Sequence, residues 1–337
     1  MNNSQQLLSE YESQSEMSAG YPMLVSIEAT NNCNLGCVMC PRELQSHGRG
    51  CVSRELFEKV VDECAGLTQY MWLHHMGEPL LNSNIFEMID YASERGILVG
   101  MSSNGTMLTD PNINRLIDSR LHLLIVSIDA VTADTYEVVR KGGRYFDRIE
   151  RGCKSLLEKL VNKESKMYVS VQLVSQEGNR HECELFLAKW GLYERERVNV
   201  AIKPLIDWGS QLDYTQLGLP RSESLPRSCT EPYRTLIIHW NGRVSSCCFD
   251  YGNKYNLGDV NTQTIREIWN GVPLIAMRRG LAKKVPVGIC VSCSGMNSRA
   301  SFENEFQSFI NTMAGRDEPT PPRRPWQRGV AGSARSY

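Results

Sequence analysis

The chain has 337 residues, with 37 Lys and Arg against 38 Asp and Glu, and 41% of its side chains are apolar. That length suffices for about two domains with a sizeable core, and a net charge of −1 supplies no basic field for nucleic acid or an anionic membrane. There is no apolar run of eighteen residues, the start lacks a signal peptide's basic and apolar regions, and twelve cysteines are too few for a secreted disulfide scaffold. The expectation is a soluble cytoplasmic protein that binds neither nucleic acid nor membrane, with thiols available to hold metal.

In chain order, residues 1–20 are polar and read as a tail. Strand-like runs then alternate with helical patterns, the signature of βα units and a parallel sheet. The predicted strands are Leu24–Ala29, Tyr70–Leu73, Ile97–Ser102, Leu123–Ile128, Met167–Val174 and Val198–Lys203. Between them, Leu56, Phe57, Val60, Val61 and Cys64 recur at helical spacing behind an N-cap at Ser53. Ile85, Phe86, Ile89 and Ala92 repeat the pattern and stop at Gly96, as Leu185 through Trp190 does before Gly191. The alternation ends near residue 210. A loop with Pro220 and Pro226 leads to Thr235–Trp240 and Arg243–Ser246, joined by the hairpin signal Asn241-Gly242, and to a helix at Ile265–Asn270. The domains expected are therefore 21–210 and 211–315. A basic, proline-containing tail at 316–337 is expected to be disordered.

The segment with most chemistry follows the first strand. In Thr30-Asn-Asn-Cys33-Asn-Leu-Gly-Cys37-Val-Met-Cys40 three thiols fall within eight residues. Four thiolates close an iron-sulfur cube, whereas three leave one iron free to bind something else. Zinc is the alternative, but it favours four ligands, usually in C-x2-4-C pairs. Unusual polar clusters also end the next three strands: Met76-Gly77-Glu78-Pro79, Ser102-Ser-Asn104-Gly105, and Ser127 with Asp129, followed by Arg140. In a parallel barrel that rim carries the functional groups.

This constellation resembles the radical S-adenosylmethionine (SAM) superfamily over residues 24 to about 205. The resemblance implies a partial (β/α)6 TIM-like barrel of α/β class, with a [4Fe-4S] cluster on Cys33, Cys37 and Cys40 whose open iron binds SAM. It implies SAM contacts from Met76, Gly77 and Glu78 to the ammonium, from Ser102, Asn104, Ser127 and Asp129 near the ribose and methionine, and from Arg140 to the carboxylate. Met39 stands where an aromatic residue often packs near the adenine. A reductant such as flavodoxin or ferredoxin is the expected partner.

A second set of thiols, Cys229-x12-Gly242-x4-Cys247 and then Cys290-x2-Cys293, has a spacing that permits zinc. It resembles the SPASM/twitch extension of radical SAM proteins, which implies a small cysteine-rich C-terminal domain. Because no cysteine follows Cys293, the expectation is one auxiliary [4Fe-4S] cluster with four cysteine ligands, and two clusters in all. Cys51, Cys64, Cys153 and Cys183 read as packing residues. Cys248 adjoins Cys247, so in an extended chain its side chain points to the opposite face.

The single-cluster layout resembles dehydrogenases of aminocyclitols and sugars in antibiotic pathways. That implies oxidation of a secondary alcohol to a ketone on a small polar substrate, with the auxiliary cluster as electron acceptor. Peptide-modifying relatives commonly carry an N-terminal module of some eighty residues, and only about twenty precede the first strand here. The alternatives are an epimerase with Cys248 as hydrogen-atom donor, a peptide maturase, and, in another class, a non-catalytic zinc-binding interaction protein. Gln172, Lys203 and Asp207 are candidate substrate contacts.

Overall fold

The computed structural model describes residues 2–163, 165–219 and 229–293. The first element overturns the expected tail at residues 1–20. Helix α1 (Asn3–Glu12) starts with a capping box between Asn2 and Gln5 and buries Leu7 and Glu10. The Glu10 carboxylate accepts hydrogen bonds from the backbone of Ala19 and Gly20, and Asn3 exchanges two bonds with Tyr21. A helix this polar shows almost no apolar periodicity, because one leucine and a set of hydrogen bonds dock it.

Strand β1 (Leu24–Ile27) leads through the cysteine loop to helix α2 (Arg54–Cys64), whose N-cap is Ser53 as the pattern predicts. Then come β2 (Tyr70–Trp72), α3 (Ile85–Glu94), β3 (Leu98–Ser103), α4 (Asp110–Asp118) and β4 (Leu123–Ser127). Helices α5 (Ala133–Arg140) and α6 (Phe146–Asn162) precede β5 (Tyr168–Ser175), and α7 (Cys183–Gly191) precedes β6 (Val198–Pro204). All six expected strands form and pair in parallel in the order β6-β5-β4-β3-β2-β1. The apolar faces of α2, α3 and α6 pack on this sheet to make the core.

The C-terminal region continues that sheet. A short helix α8 (Glu231–Arg234) enters β7 (Thr235–Ile238), which lies parallel to β1 from Leu24↔Thr235 to Ile27↔Ile238. Strands β8 (Arg243–Ser245) and β9 (Gly258–Asp259) then add antiparallel, giving a nine-stranded sheet, followed by α9 (Ile265–Trp269) and α10 (Val272–Ala282).

The β7–β8 turn differs from the expected two-residue hairpin. His239 N donates to Arg243 O and Gly242 N to His239 O, with Gly242 at φ +92°. The loop is thus Trp240-Asn241-Gly242, a turn closed by a left-handed glycine, and β7 ends at Ile238 rather than Trp240. Pro220, Pro226 and the expected basic tail lie outside the described residues. Among the described residues no helix is long and apolar enough to cross a membrane.

Candidate active site

The site lies at the carboxyl ends of β1 to β4, where the loops are bonded to one another. Gly77 sits so close to the loop after β1 that a Cβ on it would stand 2.0 Å from the Thr30 carbonyl oxygen. Next to it, Glu78 N donates to Asn32 O at 2.8 Å. This close approach, rather than a special φ, is why the position requires glycine.

Cys33, Cys37 and Cys40 are half-buried free thiols on that loop. Asn104 Nδ2 stands 3.5 Å from Cys33 Sγ, and Arg140 Nη1 stands 3.4 Å from Cys37 Sγ. Burial pushes the Cys33 thiol up and Cys40 up to about 11. Thiolates here need a compensating positive centre, and N–H donors aimed at the sulfurs are what a cysteine-bound cluster uses to tune its charge. The three residues therefore fit an iron-sulfur cluster with an open position.

Glu78 is fully buried, with Oε1 accepting from Leu80 N and Ser103 Oγ and Oε2 accepting from Asn104 N at 2.6 Å. Burial outweighs these donors and pushes its carboxyl up to about 7. Three of about four lone-pair sites on a carboxylate are thus taken within the protein. Glu78 ties the β2 loop to the end of β3, and one site is left for an ammonium. Met76 is buried beside it.

Of the two serines ending β3, it is Ser103 that bonds Glu78, while Ser102 N donates to His74 Nδ1. Asn104 also donates to Asn34 Oδ1, and Thr106 Oγ1 joins both asparagines. Ser127 is half-buried at the end of β4, in register with Gln172. Asp129 is buried in a left-handed backbone conformation, φ +62°. It pairs with Arg140 at 2.5 Å and accepts from Val174 N. The Arg140 guanidinium therefore bridges Asp129 and Cys37, a link between the β4 loop and the triad.

The second cysteine set comes from three segments: Cys229 before α8, Cys247 after β8, and Cys290 with Cys293 after α10. All four line one cavity of about 420 Å3, together with Ser26, Trp72, His74 and Trp208. Burial pushes Cys229 up and Cys290 up to about 12, and four thiols converging on one cavity are a donor set that fits a metal centre. Cys248 is exposed and lines the same cavity. The expected opposite orientation fails because residues 247–249 form a turn, closed by Asp250 N to Cys247 O, and not an extended strand. Cys64, Cys153 and Cys183 are buried as expected, but Cys51 is exposed, bridged to Thr30 at the edge of the loop.

A second cavity, about 330 Å3, lies at the ends of β5 and β6 and is lined by Met39, Val174, Lys203 and Trp208. The Met39 carbonyl accepts from Trp208 Nε1 at 3.1 Å and Tyr214 OH at 2.6 Å. Trp208 thus borders both cavities while holding the cysteine loop. It has φ +55° and is followed by Gly209 and Ser210, also left-handed. Asn34, His74, Thr106, Trp208 and Tyr214 were not legible as site residues, since none belongs to a recurrent spacing. Of the candidate substrate contacts, Lys203 borders this cavity, Gln172 bonds Ser170, and Asp207 accepts from Ser210.

Comparison with known proteins finds two matching families. The radical SAM superfamily profile matches residues 27–173, and that of the SPASM iron-sulfur cluster-binding domain matches 229–294. The chain carries a radical SAM domain and a SPASM domain. The first implies a [4Fe-4S] cluster with SAM, and the second implies auxiliary iron-sulfur.

Among relatives, the AdoMet-dependent heme synthase of Methanosarcina barkeri is 31% identical over 136 residues, 40% of this chain and 39% of that protein. The match thus spans about two fifths of that relative's length. The tungsten-containing aldehyde ferredoxin oxidoreductase cofactor-modifying protein of Pyrococcus furiosus is 23% identical over 308 residues, 80% of this chain and 86% of its own. Among solved structures, BtrN in complex with AdoMet and 2-DOIA aligns at TM-score 0.55 and 17% identity, covering 82% of this chain and 94% of BtrN. Streptococcus suis SuiB bound to precursor peptide SuiA aligns at 0.60 and 13%, covering 86% and 73%. At these identities the likeness is one of fold, and the partial barrel with its C-terminal extension is shared.

Proposed function

We propose that the protein is a radical SAM oxidoreductase that oxidises a secondary alcohol of a small polar, sugar-like or aminocyclitol-like substrate to a ketone. The supporting observation is the 420 Å3 cavity, because the second cysteine set shares it with side chains from the mouth of the radical SAM barrel. When bound, SAM at the triad supplies a hydrogen-abstracting radical and the second centre supplies an electron acceptor. Loss of one hydrogen atom, one electron and the hydroxyl proton makes the ketone. Beside the second cysteine set this cavity is lined by Trp72, His74 and Trp208, aromatic and polar side chains of the kind that line small-molecule sites, which favours a ligand of the 2-DOIA kind over an extended peptide such as SuiA.

The chain's own residues orient that substrate. Ser102 N donates to His74 Nδ1, so the His74 proton sits on Nε2, and burial pushes the ring down to about 3. His74 is therefore a neutral donor to a substrate hydroxyl at pH 7. Asn104 and Arg140 hold the triad sulfurs, and Glu78 offers its remaining lone pair to the SAM ammonium.

The epimerase reading is favoured by one observation: exposed Cys248 lines the same cavity and can return a hydrogen atom to a substrate radical. The experiment is turnover in D2O with sugar and aminocyclitol candidates, by wild type and Cys248→Ala. The dehydrogenase reading expects a ketone, no solvent deuterium at the carbon, and an active variant. Deuterium in an inverted product, with a variant that forms 5′-deoxyadenosine but no epimer, overturns it.

A further inference from the structure

A buried carboxylate and three imidazoles lie outside both cysteine sets. Glu28 follows β1, His47 stands on the loop beyond the triad, His75 follows β2, and His239 follows β7. Their side chains are 0, 3, 4 and 0% exposed, respectively. His47 Nε2 and His239 Nδ1 stand 3.7 and 3.6 Å from Glu28 Oε2, and His75 Nδ1 stands 3.7 Å from Oε1. These separations exceed a hydrogen bond, typically about 2.9–3.0 Å. They are close to the spacing of two ligands on one tetrahedral ion, roughly 3.3 Å for bonds of about 2.0–2.1 Å. The ligand atoms of Glu28, His47 and His239 all lie within 4.8 Å of one another.

The ring orientations point the same way. His75 Nε2 is 3.0 Å from the Cys248 carbonyl oxygen, which can only accept, so the proton is on Nε2. Its Nδ1 faces Glu28 and has no hydrogen-bond partner among the described residues.

His239 is arranged alike, with Nε2 bonded to Ser245 Oγ at 2.9 Å and no hydrogen-bond partner for Nδ1 among the described residues. Neither nitrogen of His47 has a hydrogen-bond partner among those residues either. Gln45 Nε2 at 3.2 Å and Trp240 N at 3.3 Å also reach the Glu28 oxygens. Rings fixed through their outer nitrogen are the arrangement that supports metal-ligating histidines.

We propose that Glu28, His47 and His239 bind one divalent transition-metal ion, zinc by class, that ties the cysteine loop to β7. Imidazole and carboxylate ligands suit zinc among the divalent ions, and three protein ligands leave a fourth position for water. The ion joins three segments with no spacing in common: the end of β1, the loop beyond the triad, and the start of the turn that leads to Cys247.

The test is metal analysis and zinc K-edge absorption on the full chain, purified anaerobically without chelator, reconstituted with iron and sulfide, and given one equivalent of zinc. The result expected is about one zinc per chain, with only nitrogen and oxygen neighbours at about 2.0–2.1 Å and an imidazole outer-shell pattern. Substoichiometric zinc, or zinc surrounded by sulfur at about 2.3 Å, which would place it in a cysteine site, overturns the proposal. Glu28→Gln and His47→Gln should each weaken zinc binding by about 10–100-fold or more with iron content kept, and zinc retained undiminished in both overturns it as well. If either variant fails to fold, the wild-type spectrum alone decides.

Discussion

The two cysteine sets are built in opposite ways. Cys33, Cys37 and Cys40 share one loop, and the rest of the rim converges on them: Asn104 on one sulfur, Arg140 on another, Trp208 and Tyr214 on the carbonyl of Met39. Cys229, Cys247, Cys290 and Cys293 come from three segments that meet around a cavity. A local triad would leave a metal open to a small ligand, and distant residues only brace the loop that carries it. A dispersed tetrad would close its metal and cross-link the segments it joins, so stability should depend more on the second site than on the first.

The largest effect expected from breaking this contrast is on the triad. Cys33→Ala with Cys37→Ala and Cys40→Ala should remove all SAM cleavage and about half of roughly eight irons per chain, while the fold persists. Iron analysis and 5′-deoxyadenosine release measure both, and residual cleavage would refute the triad's role. Cys290→Ala with Cys293→Ala should do the reverse, keeping some SAM cleavage, abolishing ketone, and lowering Tm. Normal turnover in that variant would sink the electron-acceptor role.

Smaller changes test the supports around the triad. Arg140→Met leaves Asp129 a buried, unpaired charge and should cost about 3–5 kcal/mol in chemical denaturation, with Asp129→Asn on the same chain recovering part of the loss. Full stability in the single variant would show that the pair contributes nothing. Gly77→Ala forces a Cβ against the Thr30 carbonyl, and should cost about 1–3 kcal/mol and lower iron at the triad more than at the tetrad.

The smallest effect expected is at Glu182, whose carboxylate accepts from Val131 N and Thr132 Oγ1 at the start of α5. Burial opposes ionisation, but these donors hold its carboxyl below the ordinary range. The folded value is the lower one, so its stabilisation is complete above the unfolded value, about 4.3, and lost as pH falls through the folded one. Glu182→Gln should therefore be less stable than wild type at pH 7, with the gap closing in acid. A gap independent of pH would assign the effect to packing.

What the sequence determined by itself is whatever recurs at short range. Alternating apolar runs placed all six barrel strands, the helical spacing of Leu56 to Cys64 and its Ser53 cap placed α2, and the cysteine spacings marked both thiol sets. The tertiary structure decided what depends on long-range approach. It docked α1 through Leu7 and the Glu10 carboxylate, and drew β7 into register with β1 across more than two hundred residues. It turned Cys248 into the same cavity as Cys247 and gave Ser103 the bond to Glu78. It also gathered Glu28, His47, His75 and His239 at one point. Periodicity reports how a segment meets its own core face, but a pairing between distant segments is set by which backbone comes within bonding distance, and no local pattern carries that distance.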